Sequence, residues 1–311
     1  MAEHRLTASQ SHNKWNRELQ PAVEIDPGDI VVFETEDVSG GQIQPGSSAS
    51  ALTGLNFERI HPLTGPVLVK GARAGDVLEV EILELRPGAW GWTGIWPRPY
   101  TLLPQEFATP HITHWDLTDR EETRLRADIV IPLDPFCGVM GVAPAQAGDM
   151  SVLPPASYGG NMDIRHLTRG TTLFLPVQTD GGLFSTGDGH AAQGDGEVCS
   201  GIETSMVVTL RFRLRKGRPL RGPQFVTPGP LTAKYDRHGY YATTGIGEDL
   251  LEAAREATRS MVAHLVANYH LAPEDAYVLC SVAADLKISE VVNAPNWVVS
   301  SYLPLSIFRG G

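Results

Sequence analysis

The stretch MVVTLRFRLRKG, residues 206 to 217, constrains the fold most. Val208, Leu210, Phe212 and Leu214 alternate with Thr209, Arg211, Arg213 and Arg215. That period of two turns the apolar side chains inward and the polar ones outward, as in a half-buried strand. PGDIVVFET (27 to 35) and AGDVLEVEILEL (74 to 85) follow a common plan, in which a Gly-Asp turn feeds an apolar run. RGTTLFLPV (169 to 177) is another turn followed by a strand. These turns hint at duplicated β units but are too short to establish one. The 32 glycines and 23 prolines supply many more turns, so the first two thirds of the chain read as strands and turns.

The pattern changes after residue 244. IGEDLLEAAREATRSMVAHLVANYH (246 to 270) has helical spacing, with Leu251, Ala254, Thr258, Met261 and Leu265 on one stripe. LAPEDAYVLCSVAA (271 to 284) predicts a second helix with Pro273 at its first position. Glu274 and Asp275 favour its N-terminus, and Ala272 is a poor cap. DLKISEVVN (285 to 293) reads as a strand.

Composition narrows the function classes. At 42% hydrophobic the chain can bury a substantial core. A formal charge of −11 argues against nucleic acid or an anionic membrane surface as partner. Cys137, Cys199 and Cys280 are odd in number and form no CxxC, which argues against a disulfide framework or a cysteine zinc site. No apolar run reaches membrane-spanning length and the N-terminus has no secretory pattern, so a soluble cytoplasmic protein is expected.

GDGHAAQGDGEV (187 to 198) holds four glycines, three carboxylates and one imidazole, and little in it is expected to build a core. Asp188 and His190 are two apart, which on an extended backbone places both on one face within reach of a cation. Asp195 and Glu197 repeat that spacing. The flanking glycines allow backbone geometries other residues resist. Asp-Gly pairs are also ordinary turn formers, and the residues alone leave both readings open.

The longer stretch LFSTGDGHAAQGDGEVCSGIE (183 to 203) closely resembles the signature of the acetamidase/formamidase family. In the same order, HNKWNRELQPAVEIDPGDIVVFETEDVSGGQI (12 to 43), HPLTGPVLVKGARAGDVLEVEI (61 to 82), PFCGVMGVAPA (135 to 145), GGNMDIRHL (159 to 167) and DLKISEVVNAPN (285 to 296) resemble it too. The resemblance covers nearly the whole chain. It implies a mainly β fold with α/β elements: a β-sandwich-like body with a C-terminal helical segment packed on it. One domain then spans 1–311, β-rich over 12–230 and helical or α+β over 244–296. It also implies a homo-oligomer, a dimer as first guess, and a divalent metal centre, zinc first and calcium second. The activity implied is hydrolysis of short linear amides such as formamide or acetamide to carboxylate and ammonia.

Carried over residue by residue, the resemblance makes Asp37, Asp188 and His190 the expected metal ligands, with Asp163 a further ligand or an orienter of His190. Glu197 and Glu203 are the candidates for proton transfer, and Gln193 and Asp195 are assigned to the substrate. Plainer readings stand beside these. Asp37 suits a turn before Ser39-Gly40. His61 is a ligand or a strand end before Pro62. His12 and Trp15 read as an N-terminal anchor, and Lys70 as the partner of a surface acid. Cys199 and Cys137 raise a thiol nucleophile as a rival, but their surroundings suit inert buried thiols. Trp90, Trp92 and Trp96 could wall a pocket, stack on a sugar, form a subunit contact or cover the β core, with the cover and the contact ranked above the sugar. Two other functions are compatible with the chain: a hydrolase of larger or cyclic amides, and a catalytically silent metal- or carbohydrate-binding β protein.

Overall fold

The alternation at 206–217 becomes the strand Met206–Arg215, with Met206, Val208, Leu210 and Phe212 buried and Leu214 partly so. A computed structural model describes residues 1–96, 101–235 and 238–309 of the chain. Its site-bearing strands, in chain order, are β1 (Ile30–Thr35), β2 (Leu63–Val69), β3 (Val77–Pro87), β4 (Trp90–Ile95), β5 (Phe136–Gly141), β6 (Thr172–Pro176), β7 (Phe184–His190), β8 (Glu203–Thr204) and β9 (Met206–Arg215). β1, β9, β3 and β6 are consecutive neighbours in a six-stranded sheet. β5, β7, β8 and β4 follow one another in a nine-stranded sheet, with β2 paired to β7.

The two sheets share one core. Phe33 and Phe212 of the first meet Phe184 of the second, with ring centroids 5.9 and 5.1 Å apart in edge-to-face contact. Leu78, Val80, Val208 and Leu210 lie in the same cluster as Leu63, Val67, Val139 and Met140. The fold is therefore mostly β and sandwich-like, as the period of two requires of strands with one buried face. Trp15 belongs to this core, and His12 Nε2 lies 2.8 Å from Ser185 Oγ, so the N-terminal segment is anchored on β7. Lys70 pairs with Asp26 on the surface, 3.3 Å apart.

The C-terminal part adds β10 (Tyr240–Gly247), α1 (Leu250–Tyr269), α2 (Pro273–Ala283), β11 (Asp285–Glu290) and β12 (Trp297–Pro304), the strands forming a sheet in the order β10-β12-β11. The long helix starts later than its spacing suggests. Residues 246 and 247 still pair with β12, and Asp249 caps α1 by accepting the Glu252 N–H at 2.8 Å. The buried stripe runs through Ala253, Ala257, Thr258, Met261, Val262 and Leu265, while Leu251 is 51% exposed. Pro273 does open α2, where Ala272 makes no side-chain cap.

A second core joins α1 and α2 to the β body. Met261, Leu265, Tyr277 and Leu279 cluster there with Ile95, Trp115, Ala191, Ala192 and Ile202. The glycine-rich signature thus lies between sheet and helices: every residue from Phe184 to Gly194 is buried. This reverses the expectation that the stretch contributes little to a core. Small residues are needed because other chain segments come close. A Cβ on Gly187 would lie 2.5 Å from Pro62 O, and one on Gly189 would lie 2.7 Å from Thr204 O. Both glycines serve close approach across neighbouring strands rather than an unusual φ.

Candidate active site

β7 ends at the site, and its register fixes the first contact. His190 lies directly opposite Glu203 of β8 and opposite Phe136 of β5. Side chains facing each other across such a pair stand close. His190 Nε2 is accordingly 3.0 Å from Glu203 Oε2 and 3.4 Å from Asp188 Oδ1. The Phe136 ring meets the imidazole edge-on, with centroids 5.0 Å apart.

The other ring nitrogen is engaged as well. His190 Nδ1–H donates to Gln193 Oε1 at 2.8 Å, and Gln193 Nε2 donates to the carbonyl of Asp163 at 2.9 Å. Gln193 therefore orients His190 instead of reaching the substrate position expected of it. Asp195 also stands away from the cavity. Its carboxylate is 3.3 Å from His166 Nε2, and its N–H donates to Asp285 at 3.0 Å.

Asp163, Asp188, His190, Glu197 and Glu203 converge on a cavity of about 450 Å³. Ligand-type atoms of Asp188, His190 and Glu203 lie within 4.8 Å of one another, as do those of Asp163, His190 and Glu197. Asp37 is in neither group. It is buried in the loop after β1, where its carboxylate accepts the Ser39 N–H at 2.8 Å. That is the turn role its sequence context allows. His61 is present instead, with Nδ1 3.6 Å from Asp188 Oδ2. Its place before Pro62 left that ambiguous, and no spacing links it to residue 188.

Four cavity residues that are not glycine have left-handed backbone: His61 (φ 48°), Asp163 (φ 49°), Asp188 (φ 57°) and Glu197 (φ 34°). Such conformations are unfavourable for residues with a Cβ and concentrate at functional sites. Asp188 itself takes the positive φ, flanked by two glycines that do not.

The electrostatics show a site short of positive charge. Burial opposes ionisation of Asp188, yet His190 and His61 hold its carboxyl down at about 2. Burial raises Glu203 to about 8 despite His190. Burial, then the adjacent Asp163, lifts Glu197 well above the usual carboxylate range, and burial with Asp188 raises Asp163. Burial would lower the His190 imidazole, but Glu203 and Asp188 raise it well above its ordinary value. Crowded acids thus favour the neutral form at Asp163, Glu197 and Glu203, while Asp188 and His190 favour the charged one.

Several polar atoms are left over. Asp163 Oδ1, Asp188 Oδ1, Glu203 Oε2 and His61 Nδ1 are buried without a well-aligned hydrogen bond, the His190 Nε2 contacts to Asp188 and Glu203 being close in distance but poor in angle. Buried atoms of this kind are costly unless something satisfies them. The cysteines offer no rival: burial pushes both the Cys199 and Cys137 thiols up to about 12, far from a thiolate at neutral pH. Of the tryptophans, Trp92 is fully buried in a small core with Val38, Ile43 and Leu52, and Trp96 lines the cavity. Residues 97–100 of that loop lie outside the described residues.

Comparison with known proteins shows the family and the fold. The profile of the acetamidase/formamidase family matches residues 2–151 and 145–310. A formamidase of Methylophilus methylotrophus is 26% identical over 371 aligned positions, spanning 96% of this chain and 90% of that protein. A gamma lactamase from Delftia acidovorans superposes with a TM-score of 0.89 at 27% identity, over 96% of this chain and 89% of the other. An acetamidase from Bacillus halodurans gives a TM-score of 0.68 at 33% identity, over 97% of each chain.

Proposed function

This chain belongs to the acetamidase/formamidase family, and from that premise we propose that it hydrolyses the carbon–nitrogen bond of linear amides, with formamide and acetamide as the reference substrates and a divalent metal ion at the His190 cluster. The observation that carries the reading is the set of buried carboxylates around one imidazole on a cavity wall, with oxygen atoms left without a well-aligned hydrogen bond. Those donors fit a cation. Asp188, His190 and Glu203 would hold it, Glu203 standing where Asp37 was expected, and Asp163 is close enough to join them. Mixed imidazole and carboxylate donors suit zinc first. When bound, such an ion lowers the pKa of a water and polarises the amide carbonyl.

The chain's own residues do the rest. Gln193 fixes the His190 tautomer, leaving Nε2 to face Asp188 and Glu203. Glu197, whose carboxyl burial and Asp163 raise well above its usual range, hands a proton to the leaving nitrogen, because ammonia departs far more easily than an amide anion. The Glu197 carboxylate is positioned by accepting the Gly201 N–H at 3.1 Å. A second reading, hydrolysis of a cyclic amide at the same site, draws support from the likeness to the gamma lactamase.

The test is elemental analysis of the purified protein together with ammonia release from formamide and acetamide before and after chelation. Bound zinc, with activity lost on chelation and restored by zinc, is the expected result. Ammonia release from a metal-free protein would remove the metal from the proposal, and bound metal with no amide turned over would remove the amidase reading.

Gly138 of β5 provides a test of geometry that leaves every polar side chain in place. A Cβ there would collide with Asp163 Oδ1 and lie 2.6 Å from Asp188 Oδ2. Gly138→Ala is expected to lower kcat/KM by on the order of a hundredfold, as displacement of a site by about an ångström does, with the overpacking costing about 1–3 kcal/mol of stability. Activity within twofold of the parent would show that Asp163 and Asp188 need not keep these positions.

A further inference from the structure

The cavity is out of scale with the reference amides. Pockets of about 300–1,000 Å³ take ligands of drug size, and this one measures about 450 Å³. Formamide and acetamide would fill a small part of it. Its lining divides by chemistry. The carboxylates and imidazoles take one part, and Val38, Phe57, Ile60, Trp96, Leu153 and Pro154 supply the other. Val38 and Trp96 belong to the small core with Trp92 and Leu52, so this apolar surface rests on a packed support. Phe57 sits against Trp96, with ring centroids 6.1 Å apart in edge-to-face contact. Phe57 is 44% exposed and Trp96 9%, so Phe57 stands toward solvent and Trp96 deeper.

Charge excludes one set of substrates. Among the described residues, no Lys or Arg lines this cavity, whereas Asp163, Asp188, Glu197 and Glu203 do. The apolar part of the lining, as far as the described residues show, offers a carboxylate or phosphate on the acyl group no partner, and burying such a charge against it costs affinity.

We propose that the preferred substrates are primary amides with a neutral, apolar acyl group of about six to nine carbons, linear or carrying a phenyl ring, seated against Phe57, Ile60 and Trp96. The inference rests on the amidase reading above and adds the substrate class. Each methylene buried against such a wall is worth roughly fourfold in binding of the transition state.

The experiment compares kcat/KM for ammonia release from acetamide, hexanamide, 3-phenylpropanamide and adipamate, using the metal-loaded full chain. Hexanamide and 3-phenylpropanamide are expected to exceed acetamide on the order of a hundredfold. Adipamate, a chain of hexanamide's length ending in a carboxylate, is expected to fall to acetamide's level or below. Phe57→Ser should cut the hexanamide-to-acetamide ratio by about threefold to tenfold, and Phe57→Leu should restore most of it. Equal or better turnover of acetamide would overturn the inference and leave the amidase reading standing. Good turnover of adipamate would also overturn it. Ammonia from none of the amides would overturn both.

Discussion

His190→Ala is expected to lower kcat/KM for amide hydrolysis at least about 10³-fold and to leave the purified protein without stoichiometric metal. The imidazole is the one nitrogen donor common to both carboxylate groups. Removing it takes away the larger of the two imidazole contributions that hold Asp188 ionised, leaving only His61, and leaves Glu203 buried beside it. Two carboxylates so placed share a proton in preference to ionising together. Gln193→Ala should follow at a smaller scale, about 10–100-fold, since it touches only the far side of the ring. Metal content by mass, ammonia release and a thermal melt check the pair together. A His190→Ala protein retaining metal and full turnover would remove the cluster from the reaction.

Asp285→Ala is expected to cost about 3–5 kcal/mol of stability, the range for breaking a buried ion pair on one side. Asp285 bonds Arg165 NH1, and both side chains are nearly inaccessible, 4% and 3% exposed. The guanidinium also lies 5.0 Å from the Tyr235 ring centroid, in a pocket that gives it little water. The same carboxylate accepts the Asp195 N–H, and Leu286 N–H donates back to Asp195 O at 2.7 Å. The substitution therefore removes one of the two bonds that tie the signature loop to β11, as well as stranding a charge. Denaturant unfolding reads the loss directly. A double change, Arg165→Met with Asp285→Leu, should recover much of it, because a buried pair is often replaceable by apolar residues of similar volume. A single variant within 1 kcal/mol of the parent would mean that water reaches Arg165.

What the sequence could reveal differs by element. The strand at 206–215 and the helix through Met261 and Leu265 were legible because burial on one face imposes a period directly on the residues. The start of α1 was not, because residues 246 and 247 pair with β12, a partner some fifty residues away in the chain. Asp188, His190 and Glu197 stand in a recognisable signature, and all three reach the cavity. Asp37 and Asp195 stand in equally recognisable motifs, but their carboxylates are occupied by Ser39 and His166. The facing of His190 and Glu203 depends on the register between β7 and β8, which no local spacing encodes. His61 enters the site through the loop before β2. Gly138 matters only because Asp163 and Asp188 crowd its α-carbon. In each case the missing information is a contact between distant segments.

The left-handed backbone at His61, Asp163, Asp188 and Glu197 has a consequence for how such a chain can change. A conformation of this kind costs on the order of 1–3 kcal/mol for an ordinary residue, and glycine is relieved of most of it. Aspartate and histidine tolerate it better than most, so the penalty falls mainly on Glu197. Under selection for heat resistance alone, glycine would spread at Glu197 first, and the gain in melting temperature would remove a cavity side chain. Durability and turnover are set by the same torsion angles here, with opposite sign, and a lineage evolving at high temperature would have to find its stability elsewhere in the sandwich.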